Sequence, residues 1–251
     1  MIARAVLCPS APLLARELSG RAVVLPELRD ACAAAVARML EAGPEVVAVV
    51  GGGAATATWD PDDRLDLSAY APAPGRLAKS AKPGLPLALG LGALLLDNAG
   101  YEGPRLLQAV GESEPPDACL RLGAALAGAA ARTGLLVVGD GSARRAPTAP
   151  GHLDERAAPF DSAVRHAITD GDMAALATLD PVLAAALLAT GRAAWQVLAG
   201  ALGARPDGGH DGRDGRDRPN AAPGGVRPSA EVLYADDPFG VAYLVAVLDP
   251  A

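Results

Sequence analysis

Short apolar runs alternate with helical patterns along the first half of the chain. The helix that begins near Pro26 carries apolar side chains at helical spacing, and a second one is predicted over residues 116–132. Strands that alternate with helices are typical of βαβ units, and the sequence therefore predicts an α/β fold: one domain, residues 1–251, with a mainly parallel central sheet flanked by helices. The buried strands of this sheet are predicted at residues 3–7, 45–50, 105–110 and 134–138.

The second half of the chain is more helical and closes with two strands. Residues 230–234 and 241–247 are separated by a stretch with turn chemistry, which predicts a C-terminal hairpin. Earlier in the chain, residues 85–91 are predicted as a strand and residues 92–99 as a helix. The helices of the second half are predicted over residues 157–169, 173–179, 181–188 and 192–202.

Two stretches carry no such pattern. Residues 54–84 are rich in Asp, Pro and Ala, and a loop of this length inside a compact domain is typically functional or mobile. Residues 203–229 contain Gly-Arg-Asp repeats with few apolar side chains. Such a composition buries too little surface to offset the entropy of ordering, so the sequence predicts a disordered insertion there.

Composition narrows the class of protein. The net charge of −7 argues against nucleic acid as a partner, because a polyanion would be repelled. The cysteines Cys8, Cys32 and Cys119 are odd in number and widely spaced, as in a reduced protein. The apolar runs are shorter than a membrane span or a signal peptide requires. We therefore expect a cytoplasmic chain that contacts neither membrane nor nucleic acid.

Residues that could bind a ligand follow two of the predicted strands. Gly51–Gly53 follows one of them and is compatible with an anion-binding nest of backbone N–H groups or with a turn that allows close packing. Arg144 and Arg145 stand next to Asp140 and Ser142 after another strand. They are suited to bidentate binding of a carboxylate or phosphate, although a solvated surface pair is an equal interpretation.

Histidine is scarce. The chain has 3, of which His210 lies in the low-complexity stretch and His166 in a predicted helix. His152 lies in the loop that follows the strand at residues 134–138, which could cross the edge of the sheet where α/β folds bind ligands. No GxSxG elbow accompanies it, so a serine hydrolase of the α/β type is not indicated.

The second half resembles the class III extradiol ring-cleavage dioxygenase superfamily, and is most similar to its LigB-like and Memo-like branches. The resemblance rests on LLVVGDGSARR, on the following APGHLDERAAPFDSAVRHAITDGDMAALATLDP and on ATGRAAWQVLAGAL. The amino-terminal CPSAPLL and VVAVVGGG resemble the first two strand ends of the same superfamily. The resemblance implies this superfamily's fold over most of the chain.

Active members of this superfamily cleave catechol rings with O₂ at Fe(II), which two histidines and one carboxylate hold while another histidine serves as acid and base. In this sequence Ser10 occupies the place of the first ligand histidine, and no imidazole stands near Gly52, the place of the second. Ala143 replaces the catalytic histidine, and the late acidic position falls near Ala189. The resemblance therefore implies a retained fold without its iron chemistry, because Ser and Ala do not replace imidazole at iron.

Our leading hypothesis is a metal-free relative, without a cofactor, that binds or modestly transforms a small molecule, anionic or aromatic, in the ancestral pocket. The first alternative is an active Fe(II) dioxygenase whose site uses His152, His166 and displaced carboxylates. The second is a non-catalytic partner protein, and a homo-oligomer stays open under each hypothesis. The predicted pocket is lined by Ser10, Gly52, Gly53, Asp140, Ser142, Arg144 and His152.

Overall fold

One mixed sheet organises the protein in the computed structural model, which describes residues 1–19, 24–67, 84–205 and 227–251. Its strands are β1 (Ile2–Cys8), β2 (Val46–Gly53), β3 (Ala57–Trp59), β4 (Arg105–Gly111), β5 (Thr133–Val138), β6 (Ser229–Asp236) and β7 (Tyr243–Asp249). The 7 strands stand in the order β3-β4-β2-β5-β1-β7-β6. The inner four, β4-β2-β5-β1, are parallel, whereas β3 and the β6–β7 hairpin add antiparallel edges. The α/β fold class and its C-terminal hairpin are confirmed.

Helices cover both faces of the sheet. A 3₁₀ turn (Pro12–Leu14) precedes α1 (Arg16–Ser19), α2 (Pro26–Glu41), α3 (Leu87–Asn98), α4 (Pro116–Ala127), α5 (Ala157–Thr169), α6 (Met173–Ala177), α7 (Pro181–Ala186) and α8 (Arg192–Ala201). Proline stands in the first turn of α2, α4 and α7, where its missing N–H leaves no bond unmade. Helices α2 and α3 pack into the core on one face, and α4 to α8 into the core on the other.

The central strands are apolar on both sides because both faces are covered. All six residues of β5 are buried, as are the first six of β2. Because of these apolar runs, the strand bounds predicted from the sequence lie close to those in the structure. Side chains alternate between the two cores, so that Leu135 and Val137 pack towards α8 while Leu136 and Val138 pack towards α2 and α3.

The direction of the connections opens a crevice at one edge of the sheet. The chain leaves β1 and β2 towards the face of α2 and α3, whereas it leaves β5, which lies between them, towards the opposite face. Neighbouring parallel strands with diverging connections leave space above their carboxyl ends, which is where open α/β sheets bind ligands. We call this edge, where β1, β2, β4 and β5 end, the carboxyl edge.

Of the segment predicted as a strand, residues 87–91 instead form the start of α3 and Leu85 makes only an isolated bridge with Leu65, so that prediction is wrong. The helix is apolar all round, and an apolar run of this kind cannot be told from a buried strand by its period. Gly92 lets it approach the sheet, since a Cβ there would lie 2.3 Å from Val49 Cγ1. Helix α4 is also shorter than predicted and ends at Ala127.

The remaining loop predictions have mixed outcomes. The stretch at 54–84 is not wholly irregular, since β3 lies in it and pairs with β4. Most of the insertion predicted as disordered, residues 206–226, lies outside the described residues. Within the described ranges, no helix is both long and apolar enough to cross a membrane.

Candidate functional site

A serine and an aspartate meet where β1 and β5 end. The Ser10 backbone N–H donates to Asp140 Oδ1 at 2.7 Å, and the Ser10 hydroxyl donates to Asp140 Oδ2 at 2.7 Å. The two residues are 130 positions apart in the chain, and the parallel pairing of Cys8 with Val138 brings them to the same level of the sheet. Ser10 is only 8% exposed, so its hydrogen bonds with Asp140 are largely shielded from solvent.

The turn before α8 closes the site from the other face of the sheet. Thr190 Oγ1 accepts a hydrogen bond from the Asp140 N–H at 3.3 Å, and the Gly191 N–H donates to the Asp140 carbonyl at 2.8 Å. A Cβ on Gly52 would stand 3.4 Å from the Thr190 carbonyl oxygen. A Cβ on Gly139 would meet Gly191 Cα at 2.5 Å, so this close approach of two backbones requires glycine.

Burial dominates the electrostatics of Asp140. Desolvation raises the pKa of its carboxyl from 3.8 to about 6, against the two hydrogen bonds from Ser10, which lower it. Among the described residues, no arginine, lysine or histidine forms an ion pair with this carboxylate. Asp140 is therefore a half-buried acid without a counter-charge, and its pKa is raised to about 6.

A second serine–aspartate pair lies beside the first but is tied into the framework. The Ser142 N–H donates to Asp161 Oδ1 at 2.8 Å and its hydroxyl to Oδ2 at 2.5 Å, which fastens the loop after β5 to α5. Arg145 Nε lies 2.7 Å from Asp237 Oδ2 and 3.8 Å from Asp161 Oδ2. Ser142 is fully buried, so its hydroxyl is not presented to a ligand.

The other predicted pocket residues point to structural roles or to solvent. The Arg144 guanidinium donates to the Gly151 carbonyl, and Gly151 in turn donates from its N–H to the Ala143 carbonyl, which closes the 143–151 loop. His152 is exposed, with a φ of 57° and Nδ1 3.3 Å from the Pro147 carbonyl oxygen. Neither side chain reaches the Ser10–Asp140 pair by any hydrogen bond in the described structure.

The triglycine is not a nest, so that interpretation is wrong. Gly51, Gly52 and Gly53 continue β2 and pair in register with β4. The alternative of close packing holds at Gly51, where a Cβ would come within 2.5 Å of Ala88 Cβ on α3. Of the predicted pocket residues, the structure thus brings Ser10, Gly52 and Asp140 together around the turn before α8.

A cavity of about 430 Å³ adjoins the turn that carries Asp140. Gly141 and Tyr243 contribute to its wall, and the buried Trp195 forms part of it beneath Gly191. Its polar lining is Arg145, Asp161, Ser162, Arg165, Asp236 and Asp237. The cavity is partly open to solvent and reaches the turn through Gly141, whereas Ser10 and Asp140 are not part of its wall.

Sequence reasoning missed Thr190 and Tyr243. Tyr243 is 7% exposed, and the negative charge of Asp140 adds to the burial that raises the pKa of the phenol to about 12. Its place becomes visible only from the register of β7, which runs antiparallel to β1 and so begins where β1 ends. Thr190 stood next to Ala189, the position that the family resemblance marked, but nothing in its residue type set it apart.

The residues at this edge do not fit an Fe(II) site of the two-histidine, one-carboxylate kind. Both oxygens of Asp140 already accept hydrogen bonds from Ser10, and Gly52 and Ala143 carry no donor side chain. His152, which follows the 143–151 loop, and His166, on α5, are both exposed. Over the described ranges, no three His, Cys, Asp or Glu side chains cluster as a metal would need.

Comparisons with known proteins support the fold. No family model matches the sequence, and no curated protein matches it. Among solved structures, an uncharacterized protein from Escherichia coli K12, JW3007, is similar with a TM-score of 0.51 and 13% identity over 98% of this chain and 99% of that one. At this identity the likeness concerns the α/β fold over the whole chain and carries no activity.

Proposed function

We propose that this chain is a class III extradiol dioxygenase-like protein that lacks the family's iron site and binds, or modestly transforms, a small molecule at the carboxyl edge. The observation that carries the proposal is the Ser10–Asp140 pair. A half-buried carboxylate without a counter-charge accepts hydrogen bonds from Ser10, the residue at the place where the resemblance puts the first ligand histidine. Perturbed acids in a crevice of an α/β sheet are candidates for ligand binding and acid–base work.

The positions that the resemblance marks lie close together, which supports the alignment behind the proposal. Ser10 bonds Asp140, and Asp140 bonds Thr190, the neighbour of Ala189. The Ala143 N–H donates to the Leu187 carbonyl at 3.0 Å, so the loop after β5 and the turn before α8 are joined there as well. A scattered placement of these segments would have removed the basis for the proposal.

The surroundings favour a neutral ligand over the anion that the arginine pair suggested. Arg145 is held by Asp237, and the Arg144 guanidinium donates to a backbone carbonyl. The wall of the adjoining cavity carries Asp161, Asp236 and Asp237 against Arg145 and Arg165. An incoming carboxylate or phosphate would meet more acidic than basic groups, whereas a neutral aromatic or hydroxylated compound would meet Trp195 without repulsion.

Metal analysis and a binding screen test this proposal on the full-length protein. We expect substoichiometric iron and zinc after purification, and ligands from a panel of neutral hydroxylated compounds that raise the melting temperature. Asp140→Asn should abolish or weaken these shifts, and Asp62→Asn, a change at an exposed acid outside the site, should leave them intact. Tightly bound stoichiometric iron, or cleavage of catechols by the iron-loaded protein, would overturn the proposal in favour of an active dioxygenase.

A further inference from the structure

Arg192, the first residue of α8, is a buried arginine without an ion pair. The residue is 2% exposed, and among the described residues its guanidinium makes no salt bridge. Burial lowers the pKa of this guanidinium below its ordinary value, because a buried charge loses its hydration. An apolar side chain at the same place would avoid that cost, so packing alone does not explain an arginine here.

The Arg192 guanidinium donates to three neutral oxygens. Its Nη1 donates to the Glu114 carbonyl at 2.7 Å and to Gln196 Oε1 at 2.9 Å, and its Nη2 donates to the Glu112 carbonyl. Both carbonyls belong to the loop that directly follows β4, at the carboxyl edge. Several acceptors around one side chain suit the rigid donor fork of arginine better than the point charge of lysine. Arg192 therefore ties the start of α8 to the loop after β4.

The partners of this guanidinium are themselves fixed. In the loop, the Thr56 hydroxyl donates to the Glu114 carboxylate, and the Gly111 N–H donates to Thr56 Oγ1 at 3.0 Å, which joins the segments after β2 and β4. On α8, Gln196 Nε2 donates to the Ala177 carbonyl at the end of α6 at 3.1 Å. Since buried groups that lose a hydrogen-bond partner are costly, this network holds the helix start in place at the carboxyl edge.

The two residues before Arg192 are those that contact the backbone of Asp140. The Gly191 N–H donates to the Asp140 carbonyl at 2.8 Å, and Thr190 Oγ1 accepts from the Asp140 N–H at 3.3 Å. Burial and the hydrogen bonds from Ser10, and not the charge of Arg192, set the pKa of the Asp140 carboxyl. An influence of Arg192 on Asp140 therefore acts through the position of the turn.

We propose that Arg192 is a positioning residue that holds the Thr190–Gly191 turn against Asp140 and so limits the access of water to its carboxylate. This inference rests on the proposed function, since it concerns the same site. A fully satisfied buried network fixes one arrangement more sharply than apolar contacts do, which gives a reason for an arginine at a place where an apolar residue would cost less.

Arg192→Met separates positioning from a direct effect of charge. It removes the donors and keeps a long apolar side chain, so the turn loses its tie to the loop after β4 and water reaches Asp140 more freely. NMR titration of the Asp140 carboxyl in the full chain should then give a midpoint about 1 pH unit below that of the wild type, because less desolvation raises the pKa less. Loss of a positive charge alone would move the midpoint upward.

Arg105→Met is the matched control, because Arg105 also donates to a backbone carbonyl, that of Tyr101, but from the start of β4 at the opposite edge of the sheet. It should leave the Asp140 midpoint unchanged even where urea unfolding shows a loss of stability. Arg192→Lys keeps the charge without the fork and should lower the midpoint by a smaller amount. The lysine variant also takes the place of Arg192→Met should the latter not fold.

The inference is overturned if the Asp140 midpoint stays unchanged in the folded Arg192 variants, if it rises, or if Arg105→Met lowers it equally. These titrations use the protein without added ligand or metal, so they are independent of the binding screen and the metal analysis that decide the proposed function. A ligand that depends on Asp140, together with an unchanged midpoint, would leave the proposed function standing without this role for Arg192. Bound iron with catechol cleavage would remove both.

Discussion

Replacing Asp140 by asparagine should make the protein more stable at neutral pH. Desolvation raises the pKa of the Asp140 carboxyl from 3.8 to about 6, so the folded chain binds this proton more tightly than the unfolded chain. The stability that protonation contributes is fully present below pH 3.8 and is lost as the pH rises through about 6. Asparagine is close in shape and carries no charge, so it avoids this loss.

The size of the effect follows from the same pKa. A rise from 3.8 to about 6, at roughly 1.4 kcal/mol per pKa unit, corresponds to about 3 kcal/mol when the carboxyl is fully ionised in both states. Between about pH 4 and pH 8 the wild type should therefore lose about 2 to 3 kcal/mol of unfolding free energy relative to Asp140→Asn. The Ser10 N–H can still bond the amide oxygen, and its hydroxyl can turn to accept from the amide nitrogen.

Urea unfolding of both proteins at several pH values measures this difference directly, and Asp62→Asn is the control for general pH effects. A constant difference between wild type and Asp140→Asn across the pH range would refute the reasoning, because it would show that the carboxyl does not titrate differently in the folded state. A midpoint below about pH 4.5, close to that of an ordinary carboxyl, would also refute it. Stabilisation by loss of a site residue is expected where an acid is kept for function and not for folding.

Three further predictions use other contacts of the same edge. Ser10→Ala removes the hydroxyl donor to Asp140 and should move the midpoint of the carboxyl, followed by NMR, above its wild-type value. Ser142→Ala should lower the unfolding free energy by about 1 to 3 kcal/mol in urea, since it takes a donor from the buried side of Asp161; an unchanged value would show that this bond is not needed. Gly139→Ala should destabilise by about 1 to 3 kcal/mol, because its Cβ would lie 2.5 Å from Gly191 Cα, whereas Gly128→Ala, whose nearest contact is 3.4 Å, should change stability by much less.

The strands around the site could be predicted because a strand that is buried on both faces appears in the sequence as a nearly continuous apolar run. The apolar runs that end at Cys8 and Val138 lie in strands flanked by strands, so nearly every position is apolar. The first polar side chain beyond each run, Ser10 or Asp140, is therefore easy to recognise. Helix α3 carries the same uniform apolarity, and period alone assigned its first turns to a strand. The missing information was packing, which α3 obtains through Gly92 against β2.

The partners within the site could be predicted only in part. Ser10 and Asp140 follow two buried strands, but their hydrogen bonds depend on β1 and β5 being neighbours, which chain order does not reveal. Arg144 and Arg145 are adjacent in sequence, and one turns to the Gly151 carbonyl while the other turns to Asp237. The place of Tyr243 depends on the register of β7 against β1, a pairing between the two ends of the chain that the local sequence pattern does not reveal.

The two serine–aspartate pairs show why one of them is the better site. In both, the serine N–H and hydroxyl donate to the two oxygens of the aspartate. Burial raises the pKa of Asp161 too, but the nearby positive charge of Arg145 opposes that rise. The Asp161 carboxylate therefore has both Ser142 and Arg145 as partners. Asp140 has the same serine geometry without an arginine, so its charge is balanced by nothing else among the described residues. A ligand that donates a hydrogen bond therefore gains more at Asp140 than at Asp161, and binding should draw the Asp140 proton equilibrium to lower pH.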